Sequence, residues 1–285
     1  MNYNSSGFFY GMYVLSMLLF GTNGYLVSHI SLQSSQIVLV RTLIGGILLS
    51  AMVLLQNDFT FSRIKPELRN LLAGGIALGL NWVALFAAYR MLNVSLATLI
   101  YYAGPMLVLL FSPWLFREAL TKRKLTAIII VAVGLLCITG SIAAGKLSMA
   151  GLVTAVGSAL FYAALIVFNK RIKNTGGLQT AAIELDVAFV VVLLYVLFTS
   201  GFSYPLATDI PYLLTIGLLN TGLAYFLYFS SMQRLPAQSV ALISYIDPVS
   251  ALLFSAMLLN ENMTLLQIAG AVFIIGGAIL GELGD

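Results

Sequence analysis

Residues 92–121 read LNVSLATLIYYAGPMLVLLFSPWLFREALT, and residues 235–264 read LPAQSVALISYIDPVSALLFSAMLLNENMT. The stretches lie 143 positions apart, and twelve of their thirty aligned positions are identical, among them Tyr102/Tyr245, Pro105/Pro248, Ser112/Ser255 and Glu118/Glu261. Similar apolar composition produces some matches by chance. It does not readily bring a mid-segment proline and a terminal glutamate into register. The chain is therefore read as a duplication, with this segment recurring once in each half.

Composition sets the class. The chain is 60% hydrophobic and 8% charged, with a mean hydropathy of +1.01. A soluble domain carries about 25% charged residues, so these charges are too few to build a water-facing surface. The reading is an all-α polytopic membrane protein whose solvent is the lipid bilayer. The formal charge of +4 is no sign of a nucleic-acid partner, because the basic residues are scattered through short loops. Cys137 stands alone, which excludes a disulfide within one chain. Residues 1–7 contain no Lys or Arg, and the apolar run after them is too long for a signal-peptide core, so a retained first helix is expected.

A membrane-spanning helix needs about 20 mostly apolar residues. Ten runs qualify, at 7–28, 35–56, 68–89, 95–116, 125–143, 147–169, 178–199, 210–232, 236–259 and 263–282. Lipid offers the backbone no hydrogen-bond partners, so continuous runs of this kind must be helices. With ten spans both ends share a face. That face collects Arg63, Lys65, Arg69, Arg117, Lys122, Arg123, Lys124, Lys170, Arg171, Lys173 and Arg234, against Arg90 and Lys146 on the other. Positive charge stays inside, so both termini are expected in the cytoplasm of a plasma (bacterial inner) membrane. Five spans per half make the halves, 1–143 and 144–285, enter from opposite faces as an inverted repeat. Such repeats are a hallmark of secondary transporters, with a site near the midplane between the halves. A duplicated ten-helix scaffold without transport is the plain structural alternative.

The same residues resemble EamA-type domains of the drug/metabolite transporter superfamily. The resemblance rests on Leu19–Gly21 in the first helix, Arg41 early in the second, Gly104–Pro105 with Glu118 at the end of that helix, and Asp247–Pro248 with Glu261 in the second half. It covers nearly the whole chain. Two departures stand out, Asp247 where the family often has Glu, and Leu259-Asn260-Glu261 where it often has Leu-Gly-Glu. The resemblance implies export of amino acids, nucleosides or other small metabolites by alternating access. It also implies a cavity lined by helices one, three, four, six, eight and nine, with five and ten peripheral.

Several residues point to where a substrate would lie. At about 1.5 Å per residue, Pro105 and Pro248 fall about 15–18 Å into their spans, close to the midplane. Proline has no N–H for the carbonyl four residues back, so the carbonyls of Tyr101 and Ser244 are freed at mid-depth. They line a cavity or are covered by neighbouring helices. Tyr101, Tyr102 and Tyr245 flank the prolines. Trp82, Phe86 and Tyr89 form one stripe of the third helix beside Asn81, and Tyr225 lies with Tyr228 below Asn220 in the eighth. Rings at this depth are packing or substrate walls.

Four charges lie inside spans: Arg41, Glu184, Asp186 and Asp247. Each costs about 2.5–3.5 kcal/mol on insertion scales, which makes intramembrane charges functional candidates. Arg41 and Glu184 are repeat equivalents. Inversion separates them by about 12 Å in depth on ideal helices, so a direct ion pair between them is not expected. Each fixes packing or guards one mouth. Glu118 and Glu261 end equivalent helices on opposite faces as loop or gate contacts. Asp247, the deepest acid, holds a substrate ammonium or a proton, or accepts from neighbouring hydroxyls.

Enzyme chemistry finds little support. His29 is the sole His, so HExxH metal chemistry is excluded; no GxxxxGKS/T phosphate loop occurs; and Glu282-Leu-Gly-Asp285 is not a GxGD motif. No metal or cofactor is expected, and no channel filter motif is present. The sequence thus predicts a ten-helix exporter of a small molecule, acting as monomer or homodimer. A zwitterionic amino acid with a bulky apolar side chain suits it best, with aromatic walls, Asp247 or free carbonyls for the ammonium, and Asn81 or Asn220 amides for the carboxylate. Extrusion of lipophilic cations or drugs is the alternative.

Overall fold

The computed structural model describes residues 3–56, 61–92, 94–139, 148–199, 201–259 and 263–283. Among these residues the chain is helical, with no strand. The first span is α1 (Tyr3–Gly21) followed by α2 (Asn23–Ser28). The second is α3 (Ser34–Leu55). The short α4 (Phe61–Ile64) and a 3-10 turn (Lys65–Glu67) lead into α5 (Leu68–Met91). The fourth span is α6 (Val94–Tyr101) with α7 (Ala103–Phe116), and the fifth is α8 (Lys122–Thr139). The second half repeats this order. It has α9 (Met149–Arg171), α10 (Gly177–Thr199), a 3-10 turn (Ala207–Asp209) leading into α11 (Ile210–Thr215), α12 (Ala224–Met232), α13 (Ala237–Ile243) with α14 (Ile246–Leu258), and α15 (Leu265–Glu282). A π-helical segment, Ile216–Leu223, joins α11 to α12. Eight of the ten spans are long and apolar enough to cross a membrane by length and composition. The other two are α1–α2, interrupted at Thr22, and α8, which opens on Lys122, Arg123 and Lys124.

Packing shows that the halves are inverted. Equivalent helices α8 and α15 meet with Gly134 against Gly270 and Ile274, and Gly277 against Val131 and Ala127. Position rises along one helix as it falls along the other, so the equivalent helices run antiparallel. The equivalent pair α3 and α10 does the same, with Gly46 against Asp186 and Gln36 bonded to Gly201 and Ser203. The remaining contacts recur with halves exchanged: α1 packs on α12 and α14, and α9 packs on α5 and α7. Lipid tails are as apolar as leucine, so such helices associate through close packing of small residues and interhelical hydrogen bonds. Gly134 and Gly270 illustrate this, since a Cβ on either would lie 2.7 Å from the carbonyl of the other.

The proline helices depart from expectation in a specific way. The expectation from sequence is a freed carbonyl at Tyr101 and at Ser244 within a continuous span. Instead the chain breaks at Tyr102 and at Ser244–Tyr245, and each proline begins a new helix as its third residue. In a first turn the missing N–H is no loss. The Ser244 carbonyl accepts from Asp247 N–H at 3.2 Å, so it is not left bare.

The two 3-10 turns end in acids that the sequence reading passed over. Glu67 Oε1 accepts from the backbone N–H of Lys173 and Asn174, both 3.1 Å, and from Asn174 Nδ2 at 2.6 Å. Asp209, 142 positions on, accepts from Ser31 N (3.3 Å), Ser31 Oγ (2.6 Å) and Leu206 N (3.0 Å). Each acid ties the start of one half's third span to the first loop of the other half, on opposite faces of the bundle. The boundary expected between residues 143 and 144 lies outside the described residues.

Candidate functional site

A cavity of about 450 Å³ lies between the halves. Val27, Ser34 and Tyr89 line it near helix ends on one face and mark its mouth. Tyr162, Leu165, Tyr228 and Asp247 form its floor. The opposite face is the one where chain ends meet, since Tyr10 Oη and Ser239 Oγ both donate to Glu282 Oε2, at 3.1 and 3.0 Å.

That face is closed by bonds between halves. Arg117 adopts a left-handed backbone, φ 60° and ψ 27°, at the end of α7. A non-glycine residue there is uncommon and costs of order 1 kcal/mol or more. The turn carries Glu118 to the start of α13, where its carboxylate accepts from Ala237 N (2.7 Å) and Gln238 N (2.9 Å). A carboxylate on the free N–H groups of a helix start is favourable through both hydrogen bonds and the helix dipole. Gln238 Nε2 donates to Ser112 Oγ at 2.6 Å. Lys170 Nζ donates to the carbonyls of Met232 and Leu235. Deeper in, Tyr13 stacks on Tyr228 at 5.3 Å and its hydroxyl shares a 2.8 Å hydrogen bond with Ser244 Oγ. Glu118 thus bonds one half to the other on this face, while Glu261 lies outside the described residues.

The wall is aromatic. Trp82 meets Tyr225 edge-on at 5.8 Å, Tyr225 lies 4.9 Å from Phe20, and Tyr101 stacks on Tyr162 at 5.1 Å with 7° between planes. Phe86 and Tyr89 continue the Trp82 stripe towards the mouth. Of the candidates read from sequence, Arg41, Asn81, Trp82, Phe86, Tyr101, Tyr102, Tyr225 and Asp247 line the cavity. Pro105, Asn220, Ser244, Tyr245 and Pro248 do not. Tyr245 points its hydroxyl to the Tyr102 carbonyl at 2.8 Å and packs among Val131, Leu135 and Ile274. Phe20 and Tyr162 are lining residues that the sequence did not single out, while Tyr228, read beside Tyr225, also lines the cavity. Helix two, expected outside the wall, contributes Ile37, Val38 and Arg41.

The two asparagines serve the fold. Asn81 Nδ2 donates to the Ser158 carbonyl at 2.8 Å and to Ser158 Oγ at 3.3 Å. Asn220 Nδ2 donates to Leu19 O (2.6 Å), Thr22 Oγ1 (2.7 Å) and Asn23 Oδ1 (3.1 Å). It thereby covers the carbonyl exposed where α1 breaks from α2. Their amide donors are already occupied, so neither is left to hold a carboxylate.

Arg41 and Glu184 are not paired. Arg41 Nε donates to Thr221 Oγ1 at 2.8 Å, and its guanidinium lies 5.5 Å from the centre of the Trp82 ring. Glu184 is fully buried between α5, α9 and α10, its two oxygens each 2.9 Å from Asn169 Nδ2, with its carboxylate pressed against Gly74. Asp247 Oδ2 accepts from Tyr102 Oη at 3.2 Å. Asp186 accepts from Ser50 Oγ at 2.8 Å in a separate pocket of about 160 Å³ between α3 and α10.

Ten spans, two inverted five-helix halves and a cavity between them, open to one face and closed to the other, define a secondary-transporter architecture. Residues 7–140 and 149–281 each match the EamA-like transporter family, and the chain belongs to that family as a multi-pass membrane protein. It is 28% identical to the "Uncharacterized transporter YxxF" of Bacillus subtilis, over 94% of this chain and 87% of that one. It is 27% identical to a "Probable amino-acid metabolite efflux pump" of Salmonella typhimurium, over 79% and 80% of the two chains. A solved crystal structure superposes with a TM-score of 0.84 at 20% identity, covering 95% of this chain and 96% of the other, which shows the shared fold.

Proposed function

We propose that this protein exports amino acids, above all those with bulky apolar side chains, from the cytoplasm by alternating access to the cavity. The carrying observation is the cavity itself: about 450 Å³, walled by Trp82, Phe86, Tyr101 and Tyr225, and closed on one face by bonds between the inverted halves. Its volume falls within the ~300–1,000 Å³ of small-molecule sites, which bury ligands in largely apolar walls with a few polar groups. The name carried by the Salmonella relative supports the substrate class. The eleven basic residues on the terminus face support cytoplasmic termini. In that orientation the mouth between Val27 and Tyr89 faces outward.

Counterflow in proteoliposomes tests the reading. Liposomes preloaded with unlabelled leucine or phenylalanine are expected to accumulate the labelled amino acid. Asp247 in its aromatic surroundings favours a second reading, extrusion of lipophilic cations. Accumulation of labelled tetraphenylphosphonium but of no amino acid, abolished by Asp247→Asn, would replace the first reading with the second. Absence of exchange for any solute would leave a non-transporting scaffold.

A further inference from the structure

Two charged side chains face the cavity among the described residues, Arg41 and Asp247, and they do not pair with each other. Each instead engages a neutral hydroxyl. Arg41 spends Nε on Thr221 and lays its guanidinium over Trp82, and its two terminal amino groups have no hydrogen-bond partner among the described residues. Asp247 takes the Tyr102 hydroxyl on Oδ2, and Oδ1 likewise has no such partner. Thr221 is held in turn by the π-helical segment, where its hydroxyl donates to the Ile216 carbonyl five residues back at 2.8 Å. Single π-helical turns inside α-helices are frequent at functional sites. This one fixes the hydroxyl that aims the arginine. Asp247 lies in the first turn of α14, where a helix start favours negative charge.

One positive and one negative side chain in the same low-dielectric cavity, not bonded to each other, set a condition on the ligand. A simple cation compensates Asp247 and leaves Arg41 uncompensated, and a simple anion does the reverse. Uncompensated buried charge is costly. A ligand with both charges on neighbouring atoms satisfies both poles. The arginine fork is shaped to take a carboxylate through two parallel N–H bonds. The acid, which takes the Tyr102 hydroxyl and shares the cavity with Tyr101, suits an ammonium. We infer that Arg41 and Asp247 form a zwitterion clamp, Arg41 holding the carboxylate and Asp247 the ammonium of the substrate. The inference rests on the amino-acid reading above and sharpens it: the cavity selects for the bipolar head group, and the aromatic wall receives the side chain.

The test is competition for labelled phenylalanine counterflow in proteoliposomes of the full chain. The competitors are phenylalanine, 2-phenylethylamine (no carboxylate) and 3-phenylpropionate (no ammonium). A site built to bond a polar group rejects the analogue lacking it by two orders of magnitude or more. Both truncated competitors are therefore expected to be weaker than phenylalanine by about a hundredfold. Arg41→Gln is expected to narrow the gap to the amine, Asp247→Asn the gap to the acid, and Arg41→Lys to keep the wild-type ranking with weaker affinity. Competition by either analogue at the level of phenylalanine overturns the clamp and leaves amino-acid export standing, and this wild-type result decides even where a variant fails to fold. Variants that melt like wild type yet change all three affinities equally also overturn it. If the wild type exchanges no amino acid but takes up glycine betaine, the amino-acid reading falls and the clamp stands. If it exchanges tetraphenylphosphonium alone, both fall.

Discussion

Tyr102 and Tyr245 occupy the same position in the two repeats and do different work. The Tyr102 hydroxyl reaches Asp247 on the cavity floor, whereas the Tyr245 hydroxyl is buried on the Tyr102 carbonyl, away from the cavity. Tyr245→Ala should therefore lower stability by about 3 kcal/mol through the cavity it leaves, and Tyr245→Phe by about 1 kcal/mol for one hydrogen bond. Neither should change the transport affinity of the folded protein. Tyr101→Ala should do the opposite, weakening affinity about tenfold with a smaller loss of stability, because its ring faces the cavity beside Tyr162. Thermal melts beside counterflow kinetics separate the two. Glu184 offers a sharper case. Asn169 Nδ2 serves both its oxygens, and Asn169 Oδ1 is buried without a partner. Glu184→Gln keeps an acceptor for Asn169 Nδ2 in nearly the same volume, so it should melt close to the wild-type temperature with transport intact. Glu184→Ala should be destabilised by about 2 kcal/mol or more. A loss of transport in a stable Glu184→Gln protein would give this acid a role in the cycle instead. Depth and residue type made Trp82, Tyr101 and Asp247 legible from sequence. The asparagines were misread because an amide's partner is a matter of which carbonyl another helix presents, and no sequence pattern states that. Arg41 was legible as a charge within a span, but its orientation into the cavity depends on Thr221 and the π turn.

At the scale of elements, the helix starts and breaks decide what can move. The broken spans meet at mid-depth, and the acids Glu67, Asp209 and Glu118 hold loops or helix starts across the two halves. Glu67 and Asp209 grip opposite faces in the same way, so neither distinguishes the faces. Glu118 lies on the closed face, and its bonds to α13 must open if the cavity is to face the termini. Glu118→Ala removes two N–H···O contacts at a helix start, a loss of about 1–2 kcal/mol, and should shift the population towards the state open to the terminus face. In a Cys137→Ser background, a cysteine at Ser112 should then react faster with a thiol reagent applied from the terminus side than in the parent. An unchanged rate would show that Glu118 is a static cap. The proline signature picked out the two spans but not that each breaks just before its proline, at Tyr102 and at Ser244–Tyr245, because a mid-span proline is equally compatible with a continuous helix and with the first turn of a new one. The π segment left no distinct trace in the repeat offset, which is 143 at Arg41/Glu184, 142 at Glu67/Asp209 and 143 again at Leu92/Leu235.

For the whole molecule, inversion follows from the antiparallel contacts of α8 with α15 and of α3 with α10, and the duplicated segment foretold it. A sequence repeat with an odd number of spans per half leaves no other arrangement for a chain threaded through a bilayer. Which mouth is open was not legible, because both halves can adopt either conformation and the difference is a few hydrogen bonds between them. Exchange of those conformations would open the face closed by Glu118 and Lys170 and shut the mouth between Val27 and Tyr89. The most direct test is a pair of spin-label distances in one protein reconstituted in lipid. One spans the mouth, from residue 27 to residue 89, and the other spans the terminus face, from residue 120 to residue 234, each measured with and without saturating phenylalanine. The account predicts two populations for each pair, exchanging in opposite senses, so that the mouth distance shortens in the molecules whose terminus-face distance lengthens. Distances that stay fixed, or that lengthen and shorten together, would contradict it.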